Sequence, residues 1–560
     1  MSQRNARELL LQLDFLEDTL PRMGKSPWQT LYSNTNVDGR ELTIWCALLQ
    51  PQRVAAAMTD VSWDLPIGNG LPCFSQSSSS GKTVTTYHRF GGTCGVRPLV
   101  LYRSFGGAFP PYFEIDEEFR LYHELADDKN RGLLLSFDGS GREIEVARIT
   151  EQKVSARLKY LRQFQAGTGL HLALYFESHR YSEVPLVDVP KNERERTTFD
   201  DRVVWHRAIV DCDFKADAET FSRLLGKVIL PPPPRDNAGV WPFAEDRQDD
   251  RDVKFIVSTD SNGDPIESTS NPEQLANYFG ANPDAYQYLT PVYFRREVLG
   301  KYFAEPDRYR VADGQLSCLS LWSCRIDNDL DSHVVMFLGD LGRDLPYEER
   351  LHWRQFNVLP EGGVSETQFR RGFLAEFADA KAPDLVFRRE YASLLERWPQ
   401  MHGWPLFLAP AVGDRHLLAT IRVPVTDSQS ELDEQIMCLT KLLVDSLNER
   451  ELAVQVGGSG KSLTGIAKLS AFLEKTGCPH SSSIVEFLRD LQALRSTGSA
   501  HRKGRSYAKR LDKLGLSSTT KADMCRHLLA TAAAALRTLR HHYCEDAGRH
   551  APDEDDGALR

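Results

Sequence analysis

No apolar run in this 560-residue chain approaches the ~20 residues of a helical membrane span. The opening stretch, MSQRNARELLLQLDFLEDTL, lacks both a long apolar core and a small-residue cleavage site, so it reads as an amphipathic helix and not as a secretory signal. Its ten cysteines include no CxxC pair, which leaves a disulfide framework or zinc ribbon without support and makes reduced thiols in a cytoplasmic protein the expectation. Excess positive charge is also lacking: 68 Lys and Arg stand against 78 Asp and Glu, a net charge of −10 that argues against a general nucleic-acid binder. No internal repeat is evident. What remains is a chain with 41% hydrophobic and 26% charged residues, the balance of a folded globular protein. Its length exceeds one ordinary core and implies roughly two to four domains.

Hydrophobic patterning predicts an α+β N-terminal region followed by an all-α C-terminal region. Residues 1–230 read as an α+β domain: an initial helix, strands in ELTIWCALLQ, Thr83–Phe90 and Arg97–Phe105, and helix over Glu114–Leu125. RGLLLSFDGSGREIEVARI reads as a hairpin about an Asp-Gly-Ser-Gly turn. An amphipathic helix is expected over Lys153–Phe164 and a strand over His171–Ser178. Pro231–Pro234 cannot continue a helix or central strand, and with the charged run Asp246–Asp252 they mark an exposed connection. Residues 231–429 form a second α+β region or a continuation of the first, with strands in VKFIVST, HVVMFLGD and LLATIRVPV and helices over Pro272–Phe279 and Glu366–Ala378. From Ser430 strand signals vanish and apolar residues recur at helical spacing, predicting a five-helix bundle over 430–546. The acidic tail 547–560 is expected to be disordered.

The chemistry-bearing stretch is LRDLQALRSTGSAHRKGRSYAK, Leu488–Lys509. Ile484, Leu488, Leu491 and Leu494 share one helical face, so Arg495 falls at a helix end, and a small-residue break separates it from His501. From Arg495 to Arg526 nine Lys and Arg stand against Asp512 and Asp523, a local charge of +7 on an acidic protein. Such a patch suits drawing one polyanion to one place. Imidazole titrates near neutral pH, so His501 can deprotonate an RNA 2′-hydroxyl and let it attack the neighbouring phosphate. The products are a 2′,3′-cyclic phosphate and a 5′-hydroxyl, and neither a metal nor a cofactor is required. Arg495 would hold the charge developing on the phosphoryl oxygens. Arg502, Lys503, Arg505 and Lys509 are candidate phosphate contacts, which set position and not sequence. Glu486 and Asp490, one turn apart on the preceding helix, and Ser496 are candidate supporting residues. Tyr507 fits an unpaired-base platform or the core equally well.

Arg-x5-His at a helix junction in a C-terminal all-helical module, followed by Ser-Ala-His-Arg-Lys-Gly at Ser499–Gly504, resembles the HEPN-superfamily ribonucleases of bacterial defence proteins. The resemblance covers roughly Ser430–Asp546. It implies a homodimer in which Arg495/His501 pairs from two protomers face a shared cleft. It points to abortive-infection defence with a phage-derived trigger; the size of the N-terminal region fits a sensor, and cleavage that needs a flexible, unpaired nucleotide suits an RNA such as a tRNA anticodon loop. Ser496 stands where family members usually carry Asn, Asp or His. That departure keeps open a second expectation, an inactive dimerising or RNA-binding module attached to an N-terminal ligand-binding or enzymatic domain.

Other motifs are weaker. GGSGKS at Gly457–Ser462 and SSSSGKT at Ser77–Thr83 end like a phosphate-binding loop, but Gln455 and Gln76 replace its first glycine. Cys478, His480, His541, His542 and Cys544 match no common tetrahedral zinc spacing, so no metal is expected. Asp211, Asp213 and the carboxylates of Asp327–Asp331 read as surface residues.

Overall fold

The computed structural model describes residues 3–37, 40–59, 73–89, 95–240, 252–360, 362–457, 463–499 and 505–545. Residues 547–560, the expected acidic tail, lie outside them. An N-terminal sheet-rich part is followed by a helix-rich part over 383–545, so the α+β-then-all-α expectation is met. The chain divides into two compact units, Met1–Asp138 with Arg142–Asp250, and Gly139–Gly141 with Arg251–Arg560. Among the described residues no helix is long and apolar enough to cross a membrane.

The first unit is organised on an eleven-stranded sheet. Its strands are β1 (Trp28–Val37), β2 (Arg40–Leu49), β3 (Val96–Pro98), β4 (Ala126–Asp128), β5 (Leu133–Phe137), β6 (Glu143–Ile149), β7 (Lys153–Arg157), β8 (His171–Ser182), β9 (Glu195–Phe199), β10 (Val203–Asp211) and β11 (Thr220–Leu230). The order is β9-β10-β11-β8-β2-β1-β7-β6-β5-β4, with β3 also on β2, and the pairs are antiparallel. Side chains alternate across a strand, so the long apolar runs of β2, β8 and β11 feed both faces. One face carries Cys46, Leu48, Leu172, Leu174, Phe176 and Leu224 with Phe119 and Phe164 of helices α2 (Glu117–Tyr122) and α3 (Leu158–Thr168). The other carries Ala47, Leu49, Ala173, Tyr175 and Ile229, packed by Val54, Ala57 and Met58 of α1 (Pro51–Thr59). Gly226 sits where a Cβ would lie 2.0 Å from the Phe176 ring. α3 ends at Gly169, whose φ of 70° is the left-handed cap that glycine adopts without strain.

Several elements differ from expectation. Lys153–Arg157 is strand, not the start of a helix: Val154 and Ala156 are buried between β1 and β6, and pairing on both sides overrides the helical spacing. Glu114–Leu125 splits into a strand ending at Ile115 and the short α2. Pro272–Phe279 is helical only as a single turn over Pro272–Gln274, after which the Asn277 side chain accepts from the amides of Phe279 and Ala281 and turns the chain. The Glu366 helix stops at Phe373, ahead of Ala375 with φ 53°. LLATIRVPV is not a strand. Leu417–Thr420 is helical, and the Arg422 and Thr426 amides are taken by Gln435 and Glu431 side chains instead of a neighbouring strand.

The helical part contains α4 (Pro383–His402), α5 (Gln429–Thr440), α6 (Glu449–Val456), α7 (Gly465–Lys475), α8 (Ser481–Leu494), α9 (Arg505–Lys513) and α10 (Lys521–Arg540). Sequence inspection had not singled out α4. Phe387, Tyr391, Leu394 and Trp398 follow one another at four, three and four residues along it, and all are buried in the same core as α5–α10. α10 packs along α4 through Leu528, Ala532, Leu536 and Leu539, and Arg537 and Arg540 bracket buried Glu390 of α4 at 3.2 and 3.1 Å.

Candidate functional site

α8 forms because Ile484, Val485, Leu488, Leu491 and Leu494 give it one continuous buried stripe. At Leu494 the stripe ends, and Arg495–Ser499 continues as a wider helical turn of the i→i+5 kind. Such turns occur often at functional sites. The amide of Arg495 still reaches the Leu491 and Gln492 carbonyls, so its backbone belongs to the helix. The hydroxyls of Ser496 and Thr497 both fold back onto the Ala493 carbonyl, at 3.1 and 2.6 Å. A second wide turn, Lys441–Asp445, follows α5 and carries Asp445. Nη1 of Arg495 donates to both carboxylate oxygens of Asp445, 2.9 Å to Oδ1 and 2.7 Å to Oδ2.

His501, Arg502 and Lys503 lie outside the described residues. Arg505 and Lys509 are exposed on α9. Glu486 and Asp490 do not face Arg495: both project from α8 towards α9. Glu486 accepts from Lys513 Nζ at 2.6 Å, while buried Asp490 accepts from Arg510 and, at 3.3 and 3.4 Å, from Lys513. The hydrogen bond with Lys513 holds the Glu486 carboxyl below its ordinary range, and Glu486, then Asp490, hold the lysine above its own. Four cations of the basic run, Arg495, Arg510, Lys513 and Arg526, are therefore each tied to a carboxylate. Tyr507 is buried, with its hydroxyl 3.4 Å from the Gln429 amide nitrogen, which places its ring in the core and not on a base-stacking surface.

The zinc-like donors are dispersed. Cys478 is buried, its thiol pushed up by burial and directed at the Pro479 carbonyl. His541 pairs with Glu545, and His542 lies 3.4 Å from the Thr476 carbonyl. Among the described residues no cluster of three His, Cys, Asp or Glu can hold a metal. Ser77–Thr83 is the exposed turn of a hairpin, Cys73–Ser79 with Lys82–His88, and the next element among the described residues is the strand Val96–Pro98, not a helix that could cradle a phosphate. Of Gly457–Ser462 only Gly457 is described, as the residue ending α6.

Asp211 is exposed, but Asp327 is not the surface residue expected. It is buried and accepts from the Ser365 amide at 2.7 Å, with burial raising its carboxyl. Asp329 accepts from the Thr367 hydroxyl and from the amides of Lys381 and Ala382, which pins the chain at the start of α4. These carboxylates close loops.

The residue that sequence inspection missed is Asp445. It is fifty positions from Arg495, and no motif links the two; only the packing of α5 against α8 brings their ends together. In comparisons with known proteins, no family model, no curated protein and no solved structure matches this chain.

Proposed function

We propose that the helical part is a metal-independent endoribonuclease of the HEPN kind, acting in antiviral defence under control of the N-terminal region. The observation that supports this best is the display of Arg495. Its backbone is fixed by a buried helix, its side chain is partly exposed at the helix end, and only one of its guanidinium nitrogens is paired among the described residues. Arg505 and Lys509 on the next helix add exposed cations for an RNA backbone. In this reading His501 takes the 2′-hydroxyl proton, Arg495 stabilises the phosphoryl oxygens, and a second copy of the chain completes the cleft.

The test is incubation of wild-type, His501→Ala and Arg495→Ala protein with total bacterial RNA in a metal chelator, followed by analysis of fragment ends. Cleavage by wild type alone, leaving cyclic phosphates, is expected. Cleavage by either variant at the wild-type rate, or a strict need for magnesium, would refute the site and the mechanism.

One observation favours the second reading, an inactive dimerising or RNA-binding module. The Ser496 hydroxyl donates its one hydrogen to the Ala493 carbonyl of its own helix, which leaves it no hydrogen to give a phosphate. Ser496→Asn separates the two: a weakened nuclease gains rate from the amide, whereas a scaffold stays inert.

A further inference from the structure

Arg495 and Asp445 meet at the ends of two helices anchored in one core. Leu442 and Leu443 precede Asp445 in its turn and Leu494 precedes Arg495, and all three are buried in the helical core. The two side chains are 31% and 41% exposed, so the contact is open to solvent. Ion pairs this exposed add little to folding.

The geometry of the contact is asymmetric. A guanidinium presents five N–H groups in a rigid plane. Asp445 takes Nη1 alone, with both of its oxygens on that nitrogen. Among the described residues nothing pairs with Nε and Nη2, and they form the edge that meets two oxygens of a phosphate side by side. A carboxylate seated on that edge would compete with phosphate. One held on the opposite nitrogen fixes the plane and leaves the edge presented.

We propose that Asp445 is a positioning residue for RNA cleavage: it anchors Nη1 so that the Nε–Nη2 edge of Arg495 faces the non-bridging oxygens of the scissile phosphate. The inference rests on the ribonuclease reading of the helical part. Its negative charge beside the site opposes ground-state binding of a phosphate, so the benefit of Asp445 falls on orientation and its cost falls on affinity.

The experiment measures kcat and KM for full-length wild type, Asp445→Ala, Asp445→Asn and Arg495→Ala on one RNA, with thermal unfolding of each. Asp445→Ala lowers kcat by roughly 10- to 100-fold, the scale of a small misplacement of a catalytic group, with KM unchanged or lower. Asp445→Asn keeps an oxygen acceptor for Nη1 and recovers most of the kcat. Unfolding temperatures stay close to wild type, since an ion pair this exposed adds little to folding, so the lost kcat is not lost folded protein. A wild-type kcat in Asp445→Ala beside an inactive Arg495→Ala overturns the inference and leaves the ribonuclease reading standing. Faster cleavage by Asp445→Ala overturns it too, since Asp445 would then be an inhibitor. Equal loss in the Ala and Asn variants assigns the effect to charge and also overturns it. Wild-type protein that neither binds nor cuts RNA overturns the reading and the inference together.

Discussion

Removing Asp490 tests whether the acidic residues before Arg495 build the site or the scaffold. Asp490 is 4% exposed and receives Arg510 and Lys513 from α9, whose side chains are 34% and 47% exposed. A hydrogen bond to a charged group contributes about 1.5–3 kcal/mol when its partner is withdrawn from water. Here Lys513 keeps Glu486 and adds nothing to the count, while Arg510 regains water once the carboxylate is gone, so its one contact is discounted to about 1.5 kcal/mol. Because ~1.4 kcal/mol is a factor of ten, α9 should open roughly 10-fold more often in Asp490→Ala. Hydrogen exchange read by mass spectrometry measures this in the Arg505–Lys513 peptide. Protection there should fall by about that factor, while α4 and α10, which hold no ion pair with Asp490 among the described residues, keep theirs. Asp490→Asn, which still accepts one hydrogen bond, should lose less. Unchanged protection in α9 would refute the anchoring role; an equal loss in α4 would show that the bundle opens as one body and that the local argument is wrong.

Other perturbations have comparably definite outcomes. His123 is half-buried against Phe119, Tyr122 and Tyr160, and that burial lowers its imidazole to about 4 while its Nε2 donates to the Tyr160 carbonyl. The folded state keeps it neutral, so stability is full above the unfolded value near 6.5 and is lost as pH falls from there to about 4, by about 3 kcal/mol. The urea midpoint of His123→Gln, which retains a donor, should vary less over that window than that of wild type. Trp398 is fully buried, yet its indole nitrogen has no acceptor among the described residues. Trp398→Ala should cost about 3–5 kcal/mol of stability, and Trp398→Phe much less, because it also removes an unpaired donor; thermal unfolding of the two variants checks the difference. Gly226→Ala drives a methyl into the Phe176 ring, itself 1% exposed, and should lower the melting temperature by the equivalent of about 1–3 kcal/mol.

The legible parts of the fold were those where one local pattern had no competitor. β8 reads as apolar and aromatic over most of its length, and α8 carries an unbroken helical stripe, so both appear near their expected places. Failures came where tertiary partners decided. Val154 and Ala156 fit a helix face as well as a strand, and only the flanking strands β1 and β6 select strand. Ile421–Val425 has strand composition, but Gln435 and Glu431, on a helix that follows, claim the amides of Arg422 and of Thr426 just beyond it. α4 was obscured for another reason: Phe387, Tyr391, Leu394 and Trp398 are separated by Arg, Glu and Ser, and the helix has little amphipathic contrast because Asp384 and Glu390 are buried as well.

At the candidate site, sequence could place Arg495 at a helix end because that position follows from α8 alone. It could not assign partners to the surrounding charges, since each partner sits on another helix. Glu486 and Asp490 lie one turn apart and upstream of the arginine, which made them candidates to support it. Their side chains instead reach α9, where Asp490 accepts from Arg510 and Glu486 from Lys513. Asp445 had no local claim at all, yet it is the carboxylate that holds the guanidinium. The basic run therefore divides by geometry into cations that fasten the bundle and cations left to meet an anion. Within the described residues the second group contains Arg505, Lys509 and the unpaired edge of Arg495. Substituting members of that group should weaken RNA binding and flatten its salt dependence. Substituting Arg510 or Lys513 should loosen α9 instead, and an equal salt slope for both sets would erase the division.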